Sequence, residues 1–407
     1  MKSLKGLWML AFILTLCSFG TMLTSCAEED NPANLGRETK STALFVATDR
    51  HENGEGNNLA AMLRIAVKGS EVKPRLVILG GDYVGSGGGS NPEFPISDLY
   101  NEIDSTLAPP YRDVVITYGS HDENCTDGYS AFFSGPRHQD GYYVYGISYA
   151  QMIYATDESV REAITLYQKQ QAQEEESTDS SQDGTSSNGR KKQKGYNGLD
   201  IDDRYGLSAE SASANFTAWV RTLTDNYPIV VMSHVPMHAN RQDNLGATAW
   251  YNALSEAAEK HDIIFLWGHN HTNEEMALRE QQQSDDSTTT STEETGNDAP
   301  PPKPKAANFN DRYYYLLTPG ENIPLQDTVD SLSVERQLGF TYANAGYLKF
   351  GYASVITFTS HDPSGLYDAV TIRRYALTPD STETTFGFSN HPNPFMLPLK
   401  NSVRGRK

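Results

Sequence analysis

Ile263-Ile264-Phe265-Leu266-Trp267-Gly268-His269-Asn270-His271 is the stretch from which the fold of this 407-residue chain is read. Five apolar residues in a row have the length of a buried strand. A glycine and two histidines one residue apart follow at once. Gly268 is expected to turn the backbone, so that both imidazoles face one spot at the strand's carboxyl end. One His-x-His is weak evidence for a metal. Its weight comes from four other stretches built on the same plan. Residues 42–48 end in Asp49-Arg50-His51, and residues 75–79 end in Gly80-Gly81-Asp82. Residues 113–117 end in Tyr118-Gly119-Ser120-His121-Asp122, and residues 228–232 end in Ser233-His234-Val235-Pro236.

Helical patterns separate these strands. Residues 58–67 carry Leu59, Met62, Leu63, Ala66 and Val67 at helical spacing, and residues 96–107 and 248–260 read the same way. Ser208 is placed to cap a helix running to about residue 224, with Phe216, Trp219, Val220 and Leu223 on one face. Residues 142–149 and 151–155 read as paired strands, and a helix starting near Asp157 is expected to decay after Gln168. Residues 313–317, 347–359 and 369–377 are β-branched or aromatic runs between turn signals, hence further strands. Strands alternating with helices argue for a layered α/β fold, in which ligands bind at the carboxyl ends of strands. Every motif above falls there.

Two segments lack the apolar content to fold, 169–195 (Gln, Glu, Ser, Asp, Lys) and 280–307 (Thr-rich, acidic and Pro-rich), and both are expected to be disordered insertions. They interrupt one domain spanning 42–380, with a tail at 381–407. Residues 1–25 hold Lys2, Lys5 and a short apolar run, and read as a secretory signal. Leu23-Thr24-Ser25-Cys26 resembles the lipobox of bacterial lipoproteins. That resemblance implies cleavage before Cys26, lipid on its sulfur and a polar tether over 26–41. It implies a protein of the bacterial cell envelope (outer membrane, periplasmic or surface-exposed) that meets the membrane only through its lipid anchor.

Without Lys2 and Lys5 the chain carries 31 basic against 52 acidic residues, a formal charge of −21. Such a field repels nucleic-acid polymers. A small phosphorylated substrate remains possible where a metal reverses the sign locally. Beyond Cys26 only Cys125 is left, so no internal disulfide can form.

The polar groups at the strand ends are Asp49, His51, Asp82, Ser120, His121, His234, His269 and His271. Carboxylates and neutral imidazoles are the ligands of borderline divalent metals. Two adjacent ions hold phosphate oxygens and lower the pKa of a water between them, and a histidine that stays unligated can protonate the leaving oxygen. Asp122 reads as a cap or an acceptor behind the ligands. Arg50 reads as a surface arginine before one that faces the phosphate, Cys125 as a buried thiol, and His238 as either a substrate contact or a loop histidine without a metal role. His138, His261, His361 and His391 have no partner at ligand spacing. The glycine-rich run at 85–89 is not followed by Lys-Ser/Thr, which excludes a phosphate-binding P-loop.

In order, Asp-x-His, Gly-Asp, Gly-x-His-Asp, His-x-Pro and Gly-His-x-His resemble the calcineurin-like metallophosphoesterase superfamily, from about Thr42 to His271. The resemblance implies a four-layer α/β/β/α sandwich with two mixed β-sheets. It implies two divalent or trivalent ions (Mn, Fe or Zn) and metal-dependent hydrolysis of a phosphate mono- or diester. Asp49, His51 and His271 would hold the first ion, Asp82 would bridge, and His234 and His269 would hold the second. His121 would bind phosphate and act as general acid. Ser120 stands where the family usually has a metal-binding Asn. Gly85 stands where some members have an Asp that orients the catalytic histidine, and where purple acid phosphatases have a metal-binding Tyr. Those departures define a rival: a catalytically weakened or inactive cell-surface binding lipoprotein on the same scaffold.

Overall fold

The computed structural model describes residues 40–51, 58–84, 94–107, 113–122, 125–126, 132–179, 207–238, 245–270, 316–325, 334–361, 365–377 and 391–404. In chain order its strands are β1 (Lys40–Ala47), β2 (Pro74–Leu79), β3 (Phe94–Pro95), β4 (Asp113–Ile116), β5 (Cys125–Thr126), β6 (Gly135–Gln139), β7 (Tyr142–Ile147) and β8 (Ile229–Ser233). These are followed by β9 (Ile263–Trp267), β10 (Leu316–Leu317), β11 (Asn322–Leu325), β12 (Val334–Gln337), β13 (Thr341–Asn344), β14 (Tyr352–Ser360), β15 (Ala369–Ala376) and β16 (Phe395–Pro398). The helices are α1 (Asn58–Gly69), α2 (Ile96–Thr106), α3 (Ala150–Ile153), α4 (Asp157–Asp179), α5 (Ala209–Thr222), α6 (Ala247–Ala258) and α7 (Lys400–Arg404).

One six-stranded sheet runs β16-β15-β14-β1-β2-β4 and a second runs β10-β13-β9-β8-β7-β6. Each is mixed. β1, β2 and β4 are parallel, as are β7, β8, β9 and β13, and antiparallel strands complete the edges. Parallel strands must be covered on both faces, which is why β8 and β9 read as unbroken apolar runs and are buried throughout. Alternate side chains point to opposite faces. Leu44, Val46, Ile78, Val230, Met232 and Leu266 therefore meet between the sheets. Phe45, Val77 and Leu79 look outward toward α1 and α2, and Tyr145, Val231 and Phe265 look outward toward α5 and α6. The result is the expected four-layer α/β/β/α sandwich.

The helices bury the stripes their spacing dictates: Leu59, Met62, Leu63 and Ala66 on α1, and Ala247, Trp250, Leu254 and Ala257 on α6. Ser208 caps α5, its side chain accepting from the Ser211 amide at 3.2 Å. Among the described residues no helix is long and apolar enough to cross a membrane.

Three local expectations fail. β7 pairs with β6 rather than with residues 151–155, of which 151–153 lie in α3. The hairpin turns at Asp140-Gly141, where Gly141 has φ +87°; an Asp-Gly pair favours this turn, but polar Arg137, His138 and Gln139 conceal the edge strand before it. α4 continues to Asp179, so residues 169–179 of the first expected disordered insertion are helical; Gln, Glu and Lys favour helix even without an apolar face. Residues 180–195 and 280–307 lie outside the described residues. Strand β14 begins at Tyr352 rather than at 347, because Leu348–Phe350 form a 3₁₀ turn closed by Gly351 at φ +73°. The tail supplies β16, which pairs with β15, and then α7.

Candidate metal centre

The carboxyl ends of β1, β2, β4, β8 and β9 lie side by side and present their polar residues to one another. Asp49 and His51 follow β1, Asp82 follows β2, Ser120 and His121 follow β4, His234 follows β8 and His269 follows β9. Backbone hydrogen bonds lace the loops together: the Asp49 amide to the Gly81 carbonyl at 3.0 Å, the His51 amide to the Asp82 carbonyl at 3.0 Å, and the Gly268 amide to the His234 carbonyl at 2.9 Å.

Asp49, His51, Asp82 and His269 have φ of 51°, 44°, 57° and 66°. Among the described residues they are the four non-glycine residues with positive φ. An L-residue there costs about 1–2 kcal/mol. That cost falls only on residues read as ligands, and strain concentrates where function requires a geometry. It also corrects the expected role of Gly268, since His269 takes the left-handed turn. Gly268 is needed for space: a Cβ there would lie 2.5 Å from Asp49 Oδ2 and 2.3 Å from Thr48 Oγ1.

Asp82 is the hub. Its Oδ2 lies 3.2 Å from His234 Nε2, 3.6 Å from His51 Nε2 and 3.8 Å from His121 Nε2. Its Oδ1 accepts the His121 amide at 2.9 Å, and the Ser120 hydroxyl donates to both oxygens, at 3.2 and 3.0 Å. His234 Nε2 is also 3.2 Å from His269 Nδ1. Asp49 Oδ2 accepts the His269 amide at 2.9 Å, and Asp49 Oδ1 lies 3.4 Å from His51 Nε2.

Electrostatics follow from that crowding. Burial opposes charge on Asp82, but His234, His51 and His121 around it hold it well below the usual carboxylate range. Burial likewise opposes charge on Asp49, and His234 and His51 hold it low. Burial pulls the His234 imidazole down, yet Asp82 and Asp49 lift it to about 10. His51 is raised against the effect of burial by Asp49 and Asp82. His121, pulled down by burial more than Asp82 lifts it, stays below the ordinary histidine value.

A metal fits these residues. Among the described residues two overlapping sets bring ligand atoms within 4.8 Å of one another, His51–Asp82–His121 and Asp82–His234–His269, and Asp82 belongs to both. Asp49 Oδ1 is buried with only the His51 imidazole beside it, at 3.4 Å and without a well-formed hydrogen bond, an acceptor a cation would satisfy. His234 Nδ1 lies 2.8 Å from the Gly80 carbonyl, which fixes the ring so that Nε2 faces Asp82. Expected ligands Asp49, His51, Asp82, His234 and His269 and expected acid His121 are thus brought together, with Ser120 beside them. His271, Gly85 and Cys26 lie outside the described residues.

Other expectations need correction. Arg50 is no surface arginine: it is buried, with Nη2 2.9 Å from Glu102 Oε2, and Glu102 Oε1 also takes the Ala60 amide at 2.8 Å. Of the two readings of His238, the one without a metal role fits. It is fully buried, with Nδ1 2.8 Å from the Tyr342 hydroxyl, and burial pushes it down to about 3. Tyr149 was not legible as part of the site. Its ring sits 6.0 Å from that of His234 and 5.8 Å from that of His269, but no motif spacing marks it. Cys125 is buried, as expected.

A comparison with curated proteins found no match. The calcineurin-like phosphoesterase family matches residues 43–273, more than half of the chain and all five strand-end motifs, so the chain belongs to that family.

Proposed function

We propose that the protein hydrolyses a small phosphate ester at a dinuclear metal centre. The observation that carries this reading is the Asp82 carboxylate, whose Oδ2 stands within 3.2–3.8 Å of imidazole nitrogens from three separate strand ends. Bound divalent or trivalent ions (Mn, Fe or Zn) would supply Lewis acidity toward phosphate oxygens and a water acidic enough to attack near neutral pH. Asp49, His51 and His271 are assigned to one ion, His234 and His269 to the other, and Asp82 to both. The His121 side chain is 32% exposed, against 4% for His51 and 0% for His234. It therefore stands at the mouth, where it can hold a phosphate oxygen and pass a proton to the leaving oxygen.

In the test, purified protein is analysed for bound metal and assayed on a chromogenic phosphate monoester and diester with Mn²⁺ or Zn²⁺. Bound metal and turnover that falls about 10²–10⁴-fold in His121→Ala support the reading. No metal, or turnover equal to that of His121→Ala, defeats it.

Ser120 favours a second reading, a weakened enzyme or a surface binding protein. Its hydroxyl donates to both oxygens of Asp82, competing for lone pairs that two ions would share. Ser120→Asn raising metal content and turnover would mark the chain as a weakened enzyme; rapid turnover by wild type would exclude the binding protein. The surplus of acidic residues supports a small substrate over a nucleic-acid polymer. We also propose that Cys26 carries lipid and holds the protein at the cell envelope. Cys26→Ser would then release it from the membrane fraction.

A further inference from the structure

The carboxylate of Asp122 is fully buried and takes no part in the chemistry above. Its Oδ2 accepts the amides of Asp82 at 3.0 Å and Gly119 at 2.7 Å, and its Oδ1 accepts the amide of Tyr83 at 2.8 Å. The donors come from two loops, one following β2 and the other following β4. The exchange is reciprocal, because Asp82 Oδ1 in turn accepts the His121 amide from the β4 loop at 2.9 Å. Each loop thus offers a carboxylate to the other's backbone. Beneath them the Tyr83 hydroxyl spans Leu79 and Thr117, contacting their carbonyls at 2.8 and 2.9 Å. The loops touch so closely that a Cβ on Gly119 would lie 2.3 Å from the Asp82 amide nitrogen.

We propose that Asp122 is a positioning residue that presets the hub of the centre, holding Asp82 in its left-handed conformation and fixing the distance between Asp82 and His121. The inference rests on the hydrolase reading above. Asp82 needs such a clasp: its φ of 57° is unfavourable for an L-residue. A buried amide without an acceptor would add a further cost.

The test is Asp122→Asn, nearly the same shape. Whichever way the amide is oriented, its NH₂ meets either the Tyr83 amide or those of Asp82 and Gly119, so at least one clasp bond is lost. Three readouts apply to the metal-stripped full chain: Mn²⁺ affinity by calorimetry, hydrogen exchange at the three amides, and thermal unfolding. A Kd for Mn²⁺ raised about 10–100-fold, faster exchange at those amides and activity recovered at high Mn²⁺ are expected from a folded variant. Wild-type affinity in the variant overturns the inference and leaves the hydrolase reading standing. Wild-type protein that takes up no Mn²⁺ sinks the hydrolase reading and this inference with it. Should the variant fail to fold, wild-type exchange decides: the amides of Asp82, Tyr83 and Gly119 must be protected like that of Val77 in β2, and loop-like exchange overturns the clasp.

Discussion

Replacing Gly268 by alanine inserts one methyl group where the segment after β9 meets the segment after β1. Its Cβ would stand 2.3 Å from Thr48 Oγ1, 2.5 Å from Thr48 Cγ2 and 2.5 Å from Asp49 Oδ2. None of these neighbours is the free end of a long side chain. The Thr48 hydroxyl donates to the Gly80 carbonyl at 3.1 Å, and Asp49 Oδ2 accepts the His269 amide at 2.9 Å. Overpacking a filled interior costs about 1–3 kcal/mol. Displacing the Asp49 carboxylate from a buried amide adds about 1–3 kcal/mol. The expected loss of stability is therefore about 2–6 kcal/mol, together with weaker metal uptake because Asp49 is pushed off its position. Denaturant unfolding of metal-stripped protein reads the first effect and Mn²⁺ titration the second. Gly339→Ala is the control: its Cβ would meet only Ala258 Cβ, at an ordinary 3.6 Å, and stability should change by less than about 0.5 kcal/mol. Gly268→Ala with wild-type stability and wild-type Mn²⁺ affinity would refute the close-approach argument.

Three further outcomes are expected. Burial pulls the His234 imidazole down, but Asp82 and Asp49 lift it to about 10, so metal binding at Nε2 is expected to displace a proton at neutral pH. Calorimetry in buffers of different ionisation enthalpy should show that release at pH 7, and affinity should rise as pH is raised from about 6 to about 8; binding with no proton release contradicts it. A folded-state pKa raised in this way stabilises metal-stripped protein fully below 6.5, and that contribution should fade as pH climbs to about 10. Glu102→Ala leaves the Arg50 guanidinium buried without the Glu102 carboxylate and should cost about 3–5 kcal/mol in unfolding experiments; wild-type stability in the variant contradicts it.

Most of the site was legible because its logic is repetitive. Each strand ends where its apolar run ends, and at each end stand acids or imidazoles whose chemistry is a metal's. Repetition across five segments lifted Asp49, Asp82, His234 and His269 above their individual ambiguity. What the sequence concealed depends on three-dimensional proximity without any period. Gly268 looked like a turn residue, but the φ values put the turn at His269 and make the glycine a gap for Asp49. Arg50 looked like a surface residue because Glu102, its partner, lies fifty-two residues away on α2. Tyr149 closes over His234 and His269 from the end of β7, a strand without a motif of its own. In β6, a polar run disguised a strand that only its Asp140-Gly141 turn betrays. α4 outran its apolar pattern because helix-favouring polar residues extend a helix that packing has already started.

In the proposed centre five strand ends converge and Asp82 would be shared between two ions. Metal analysis of freshly purified wild type beside Asp82→Ala tests it most directly. About two ions per chain in wild type, with both sites lost or severely weakened by the single substitution, is the predicted result. An Asp82→Ala protein that keeps the wild-type metal content would contradict it.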